Sequence, residues 1–170
     1  RIFGENRVQE AENRWSNYLS EFKDIELHLV GSLQTNKVKK ALKLFDVIHS
    51  IDRQSLAIEI SKNLNKSCKT KTFFIQVNTG QEKQKSGVLP EHIDDFFNFC
   101  KNKLKIPILG LMCIPPLGDA PGVHFCYLNH LAKKLNLKNL SMGMSSDYEE
   151  AIKFGSTHLR IGVDFFGKRF

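Results

Sequence analysis

The sequence lacks any long uncharged run, which excludes a membrane-spanning helix. The longest such run without histidine, 106–118, has 13 residues and contains three of the five prolines, so it is too short and too kinked to cross a bilayer. Cysteine is scarce too: the four cysteines include no Cys-x-x-Cys pair, and neither a zinc site nor a disulfide framework is indicated. We therefore expect a protein of the reducing cytoplasm, without a membrane partner.

Several catalytic signatures are also missing. The sequence contains no Walker loop, no His-Glu-x-x-His zinc motif and no calcium loop. The segment Gly143-Met144-Ser145-Ser146-Asp147 lacks the second glycine of a nucleophile elbow. The six histidines are scattered, so the sequence predicts no metal site and no catalytic residues of these kinds.

What is present fits one globular domain that attracts anions. The 170 residues are 41% hydrophobic, which supports a sizeable core, and we assign residues 1–170 to a single domain. The net charge of +7 favours an anionic partner, whether a nucleic acid, phospholipid headgroups or a small phosphate, and the sign alone does not choose among them.

Short apolar runs alternate with stretches of helical periodicity along the whole chain. This alternation is typical of βα units around a parallel sheet. The predicted strands are 2–5, 26–31, 46–51, 72–78, 108–114, 139–144 and 158–163, and the predicted helices are 8–21, 37–44, 54–64, 91–103, 123–136 and 147–154. Seven strands predict an α/β fold, a (β/α)8 TIM-type barrel lacking its first βα unit. A doubly wound sheet is disfavoured because no glycine-rich loop follows the first strand.

Two segments near the C-terminus predict an anion site at the mouth of this barrel. Ser145 or Ser146 is expected to open a helix, and Glu149 completes a capping-box pattern with Ser146. Such a helix start suits a phosphate, although the serines could equally serve only as caps. In the last strand, a period of two places Arg160 and Gly162 on one face, opposite Leu159, Ile161 and Val163. Arg160 then faces either an anionic ligand or an acidic partner on the rim.

The basic segment 36–43 leaves a further alternative open. Its lysines could hold nucleic-acid phosphates, which would make the chain a basic nucleic-acid-binding module. However, the aromatic pairs at 73–74 and 96–97 do not interleave with basic residues and read as core. We therefore favour a solvated helix face and expect no nucleic-acid partner.

Eight motifs in order along the chain resemble the pyridoxal phosphate homeostasis protein family. They are FGENRVQE (3–10), GSLQTNK (31–37), IHSID (48–52), QVN (76–78), KSG (85–87), GLM (110–112), LSMGMS (140–145) and RIG (160–162). The resemblance implies a modified (β/α)8 barrel similar to the N-terminal domain of alanine racemase, with pyridoxal 5'-phosphate as cofactor. It further implies that Ser145 and the backbone around Gly162 hold the phosphate, that Arg160 faces the pyridine nitrogen, and that Asn6 lies near the ring.

The same resemblance implies a function in intracellular vitamin B6 homeostasis, as a carrier or buffer that delivers the cofactor to dependent enzymes. A permanent cation beside the pyridine nitrogen disfavours its protonation and makes the ring a poorer electron sink, so we expect no strong catalysis. A racemase-like enzyme is the alternative; it needs two positioned bases, and the sequence nominates neither.

The sequence departs from the family at its start. Family members bind the aldehyde as a Schiff base on a lysine near the end of the first strand, and this sequence opens after that point. We expect that unit to be missing and the lysine to be absent from this chain. Val163 and Asp164 also stand where the family has small or hydroxylated residues. Because a barrel short of one unit exposes two strand edges, we expect a monomer or a weak dimer.

Overall fold

A computed structural model describes residues 1–167, without the side chain of Asp164. Seven strands form one parallel sheet whose order follows the sequence. They are β1 (Ile2–Glu5), β2 (Glu26–Leu29), β3 (Val47–Ile51), β4 (Thr72–Gln76), β5 (Ile108–Met112), β6 (Asn139–Met144) and β7 (His158–Arg160). Each of the seven lies within a predicted strand, although several end earlier than predicted, and the α/β barrel of seven strands is confirmed.

Helices follow the strands and cover the outer face of the sheet. They are α1 (Val8–Glu21), α2 (Val38–Leu44), α3 (Gln54–Asn63), α4 (Ile93–Asn98), α5 (Pro121–Lys134), α6 (Tyr148–Lys153) and α7 (Val163–Phe166). Single 3₁₀ turns precede α2 and α4, and a π-helical turn, Phe99–Lys103, continues α4 to the end of the predicted helix. Within residues 1–167, no helix combines the length and apolarity needed to span a membrane.

The basic segment forms α2 and packs on the core through its apolar side. Val38, Ala41 and Leu42 are buried, while the lysines between them point outward. Lys40 donates to Glu12 on α1 at 2.8 Å. A helical period with one apolar stripe explains this arrangement, and the lysines form a solvated helix face.

Side chains alternate between two environments along each strand. Leu27, Ile48 and Phe73 face the helices and belong to the large outer core. The neighbouring positions face the barrel interior, where Val47, Phe74 and Met112 form a smaller apolar cluster. The sheet curls enough to bring the rings of His28 on β2 and His158 on β7 within 6.1 Å, centroid to centroid.

One glycine fixes how the first strand meets the second. A Cβ added at Gly31, just after β2, would lie 2.1 Å from the backbone oxygen of Asn6. Only glycine allows this approach. The segment after β1 therefore lies directly against the segment after β2, at the carboxyl end of the sheet.

Candidate functional site

The loops that follow β6 and β7 meet at the carboxyl end of the barrel. The two strands are parallel neighbours, and Met144 pairs with Arg160 in their register. The backbone N–H of Gly162 points at Ser145 Oγ, with a nitrogen-to-oxygen distance of 3.4 Å. Ser145 is partly exposed and Gly162 is exposed, so both remain accessible from the mouth.

The predicted helix start at Ser145 or Ser146 is wrong. Helix α6 begins at Tyr148 with Asp147 as its N-cap, and no capping bond from a side chain is formed there. A tight turn after β6 explains the shift, because Asp147 Oδ1 accepts the Met144 N–H at 2.6 Å and the Asp147 N–H donates to the Met144 carbonyl at 3.0 Å. The Ser145 hydroxyl is therefore not used as a helix cap.

The predicted extent of the last strand is also wrong. Strand β7 ends at Arg160, and Val163 begins the single turn of α7. Within the strand the predicted alternation holds, since Leu159 points toward Gly143 on the outer face and Arg160 points inward. A Cβ added at Gly162 would meet no atom of the described residues within 4 Å, apart from those of Gly162 and its two chain neighbours, so the space beside this residue is open to that extent.

Arg160 is held from below by two hydrogen bonds. Its Nη1 donates to Ser141 Oγ at 2.9 Å and its Nη2 donates to the Cys113 carbonyl at 2.8 Å. Within the described part of the chain it forms no ion pair with a carboxylate, so the alternative of an acidic rim partner does not hold there. Burial lowers the pKa of Arg160, yet a guanidinium stays charged. Three of its five N–H donors remain for another acceptor.

Asn6 is the predicted site residue that the structure does not bring into contact with the others. It follows β1, the edge strand opposite β7 in the sheet order, and its side chain is exposed. No hydrogen bond joins it to Ser145, Arg160 or Gly162 among the described residues. It shares with them only the carboxyl end of the barrel.

A cavity of about 670 Å³ borders the Ser145 end of this site. Its wall along α6 carries Asp147, Glu149 and Glu150 against a single lysine, Lys153. That wall would repel a dianion. An anion at the mouth is therefore favoured on the side of Gly162 and Arg160.

A cluster of aromatic rings, which the sequence motifs did not indicate, lies next to Arg160 in the barrel interior. His49 stacks on Phe74 with ring centroids 4.4 Å apart, and His28 and His158 lie 5.0 and 5.8 Å from His49. Burial, reinforced by the charges of His28, His158 and Arg160, lowers the pKa of His49 from 6.5 to about 2. Burial also lowers the pKa of His158. The signal available in the sequence was the inward strand position that each histidine occupies.

These histidines are not arranged as metal ligands. In residues 1–167, no group of three or more His, Cys, Asp or Glu side chains is placed to hold a metal ion. Instead, the ring nitrogens bond to one another and to Ser141.

The barrel and its mouth match proteins of one class. The sequence profile of the alanine racemase N-terminal domain matches residues 1–169. An alanine racemase from Clostridium difficile superposes with a TM-score of 0.72 at 12% identity over 99% of this chain and 45% of that one, which shows the shared fold alone. The class is thus a barrel of the alanine racemase N-terminal type.

Closer relatives define the family. The pyridoxal phosphate homeostasis protein of Aquifex aeolicus is 40% identical over 99% of this chain and 77% of its own length. The structure of PipY from Synechococcus elongatus with pyridoxal phosphate bound superposes with a TM-score of 0.84 at 33% identity, over 97% of this chain and 81% of that one. This chain belongs to the pyridoxal phosphate homeostasis protein family, as its motifs indicated.

Proposed function

We propose that this chain binds pyridoxal 5'-phosphate at the mouth of the barrel and serves in intracellular vitamin B6 homeostasis as a carrier or buffer of the cofactor. The relatives named above support this role, because PipY binds the same cofactor in a barrel that superposes on this one. The observation that carries the proposal is a guanidinium at the mouth with no carboxylate partner among the described residues. Beside it lie the partly exposed Ser145 hydroxyl and the exposed Gly162, whose N–H makes only a long hydrogen bond, 3.4 Å, to that hydroxyl.

The residues present fit this cofactor. Its phosphate is a dianion, which the Ser145 hydroxyl and the Gly162 N–H can bind as donors. Beyond the neighbours of Gly162 in the chain, no atom of residues 1–167 lies within 4 Å of the Cβ position at Gly162, so the backbone there can be approached closely. Arg160 can direct a free N–H toward the pyridine nitrogen, and Asn6 can line the far side of the ring.

When bound, pyridoxal phosphate supplies a reactive aldehyde and a ring that accepts electrons. Arg160 keeps its own protons, so it donates to the pyridine nitrogen rather than protonating it. Ser141 and the Cys113 carbonyl hold the guanidinium in that orientation. Because an unprotonated ring is a weaker electron sink, we propose binding and release without strong catalysis.

We further propose that the chain acts in the cytoplasm and passes the cofactor to enzymes that depend on it. All four cysteines are unpaired among the described residues, and three of them are buried. Burial raises the pKa values of Cys100 and Cys113 to about 12, so these thiols are unreactive, as suits a reducing compartment.

The proposed oligomeric state is a monomer or a weak dimer. In the described sheet, β1 and β7 each pair on one side, and apolar side chains at these edges, including Ile2 and Val163, are more than half exposed. Such edges favour weak self-association.

Cofactor titration followed by equilibrium dialysis tests the proposed site. Arg160→Glu and Ser145→Asp each place a carboxylate at the mouth and are expected to weaken binding about tenfold or more. Ser146→Asp adds the same charge one residue further along, on an exposed side chain, and is the matched control. If both site variants bind as the wild type does, the assigned site is wrong.

A second measurement addresses catalysis. Conversion of L-alanine by the loaded protein, followed by circular dichroism, is expected to stay near the rate of free cofactor. A rate well above that value would favour the racemase-like alternative.

A further inference from the structure

A chain of hydrogen bonds runs through the barrel from Arg160 to the amino end of β2. Arg160 Nη1 donates to Ser141 Oγ at 2.9 Å, and Ser141 Oγ lies 2.8 Å from His49 Nδ1. His49 Nε2 lies 3.0 Å from His28 Nδ1, and His28 Nε2 lies 2.9 Å from Glu26 Oε1. Ser141, His49 and His28 are buried, so the links among them are shielded from water, whereas Glu26 at the end is exposed.

The donors and acceptors available on these groups fix the direction of the four hydrogen bonds. A carboxylate only accepts, so His28 donates from Nε2 to Glu26. A neutral His28 then accepts at Nδ1 from His49 Nε2–H, which leaves His49 Nδ1 to accept the hydroxyl proton of Ser141. Ser141 in turn presents its lone pairs to Arg160. Every donor used in these four hydrogen bonds points away from the mouth, and the Ser141 oxygen and all four ring nitrogens of His49 and His28 have a partner.

We propose that His49 is a positioning residue for Arg160, which it holds in place through the Ser141 hydroxyl. This inference rests on the proposed function in one respect: the expected consequence is that the guanidinium is oriented toward the pyridine nitrogen of the cofactor. The low pKa of His49 agrees with it, since His49 stays neutral and carries a single ring proton. His49 donates that proton from Nε2 to His28, so its Nδ1 can only accept and the Ser141 hydroxyl donates to it.

A proton added to His28 would reverse part of the chain. His28 Nδ1 would become a donor, and His49 would have to move its proton from Nε2 to Nδ1 and donate to Ser141. Ser141 would then accept from both neighbours, and its hydroxyl proton would turn elsewhere. The charged and titratable groups that face His28 and His49 are Glu26, His158 and Arg160; the remaining neighbours, Ser141 and Phe74, are neutral.

Three variants separate positioning from packing. His49→Phe keeps an aromatic ring on Phe74 and removes both hydrogen bonds. His49→Gln offers an amide oxygen to Ser141 and an amide N–H to His28, so it is the conservative rescue. His158→Phe changes another ring of the same cluster that lies outside the chain, and it is the matched control.

The first readout needs no cofactor. In nitrogen-15 NMR spectra at alkaline pH, we expect His49 to carry its proton on Nε2 in the wild type and in His158→Phe. We expect the Arg160 guanidinium to rotate slowly in these two proteins and in His49→Gln. His49→Phe is expected to free that rotation. Should His49→Phe not fold, Ser141→Ala removes the next link with a much smaller change and is expected to free it as well.

The second readout is affinity for pyridoxal phosphate. Loss of the hydrogen bond that fixes the Ser141 hydroxyl is expected to weaken binding about fivefold in His49→Phe, with little change in the other two histidine variants. An Nδ1–H tautomer of His49 at alkaline pH, or unchanged guanidinium rotation in a folded His49→Phe, would overturn the inference. If the wild type fails to bind the cofactor, the proposed function fails, and the guanidinium spectra still decide whether His49 positions Arg160.

Discussion

Acidification below pH 6.5 is expected to destabilise this chain through one residue, His49. Its ring is 1% exposed and its pKa is lowered from 6.5 to about 2, chiefly by burial. Between these two values the unfolded chain binds a proton that the folded chain does not. The stabilisation is therefore complete above pH 6.5 and is lost progressively as the pH falls toward 2.

The magnitude follows from the width of the interval. Where the unfolded chain binds one proton more than the folded chain, the free energy of unfolding falls by about 1.4 kcal/mol for each pH unit. At pH 5 the loss of stability due to His49 is therefore about 2 kcal/mol. This is a large part of the total stability of a small domain. His158, whose pKa is also lowered, adds to the wild-type slope.

Urea denaturation at pH 8, 7, 6 and 5, followed by far-ultraviolet circular dichroism, measures the effect. His49→Gln removes the titrating ring and keeps both hydrogen bonds, so its stability is expected to fall by about 2 kcal/mol less than that of the wild type between pH 7 and pH 5. His130→Gln, on the exposed side of α5, controls for the loss of a histidine. Equal slopes for the wild type and His49→Gln would refute the reasoning.

Two further predictions concern the frame that carries the mouth. Gly31→Ala is expected to lower the free energy of unfolding, measured by urea denaturation, by about 1–3 kcal/mol, because the new Cβ would collide with the Asn6 backbone. Gly4→Ala is the control and should change it little, since the nearest atoms to its Cβ lie at 3.7 Å. Equal losses in the two variants would contradict this explanation. Glu5→Ala should lower the free energy of unfolding by about 1–3 kcal/mol and shift the fluorescence emission of Trp15, because buried Glu5 accepts the indole N–H at 2.7 Å. Glu5→Gln should restore most of the stability and most of the wild-type emission. A Glu5→Ala emission spectrum like that of the wild type would contradict this prediction.

The strands and most helices could be predicted because local periodicity decides them. The apolar run of β3 is buried at every position, and α2 carries its apolar residues on one side. The inward direction of Arg160 followed from the period of two in β7. These features depend on neighbours in sequence, which a single sequence displays.

The errors lie where contacts distant in sequence, or a local turn, override the pattern. The turn after β6 is held by Asp147, which bonds back to Met144 and delays the helix that the serines suggested. The register of the barrel interior was not accessible either. His49 and Ser141 are 92 positions apart in sequence, and only the curl of the sheet brings them to 2.8 Å.

Arg160 links the site at the mouth to the hydrogen bonds of the barrel interior. Its guanidinium is charged and partly buried, and the groups that accept its hydrogen bonds are neutral. A hydroxyl and a carbonyl satisfy two of its N–H groups, but neither supplies a negative charge. Burying a cation that no carboxylate contacts costs free energy, and burial lowers the pKa of Arg160 although the charge of Asp147 opposes that shift. An anionic ligand at the mouth offsets part of the free energy that burying the guanidinium costs. A carboxylate in the wall would offset it in the empty protein as well, so the ligand would then gain less free energy on binding. Neutral support from below therefore favours a cofactor that arrives and leaves, which is what a carrier requires.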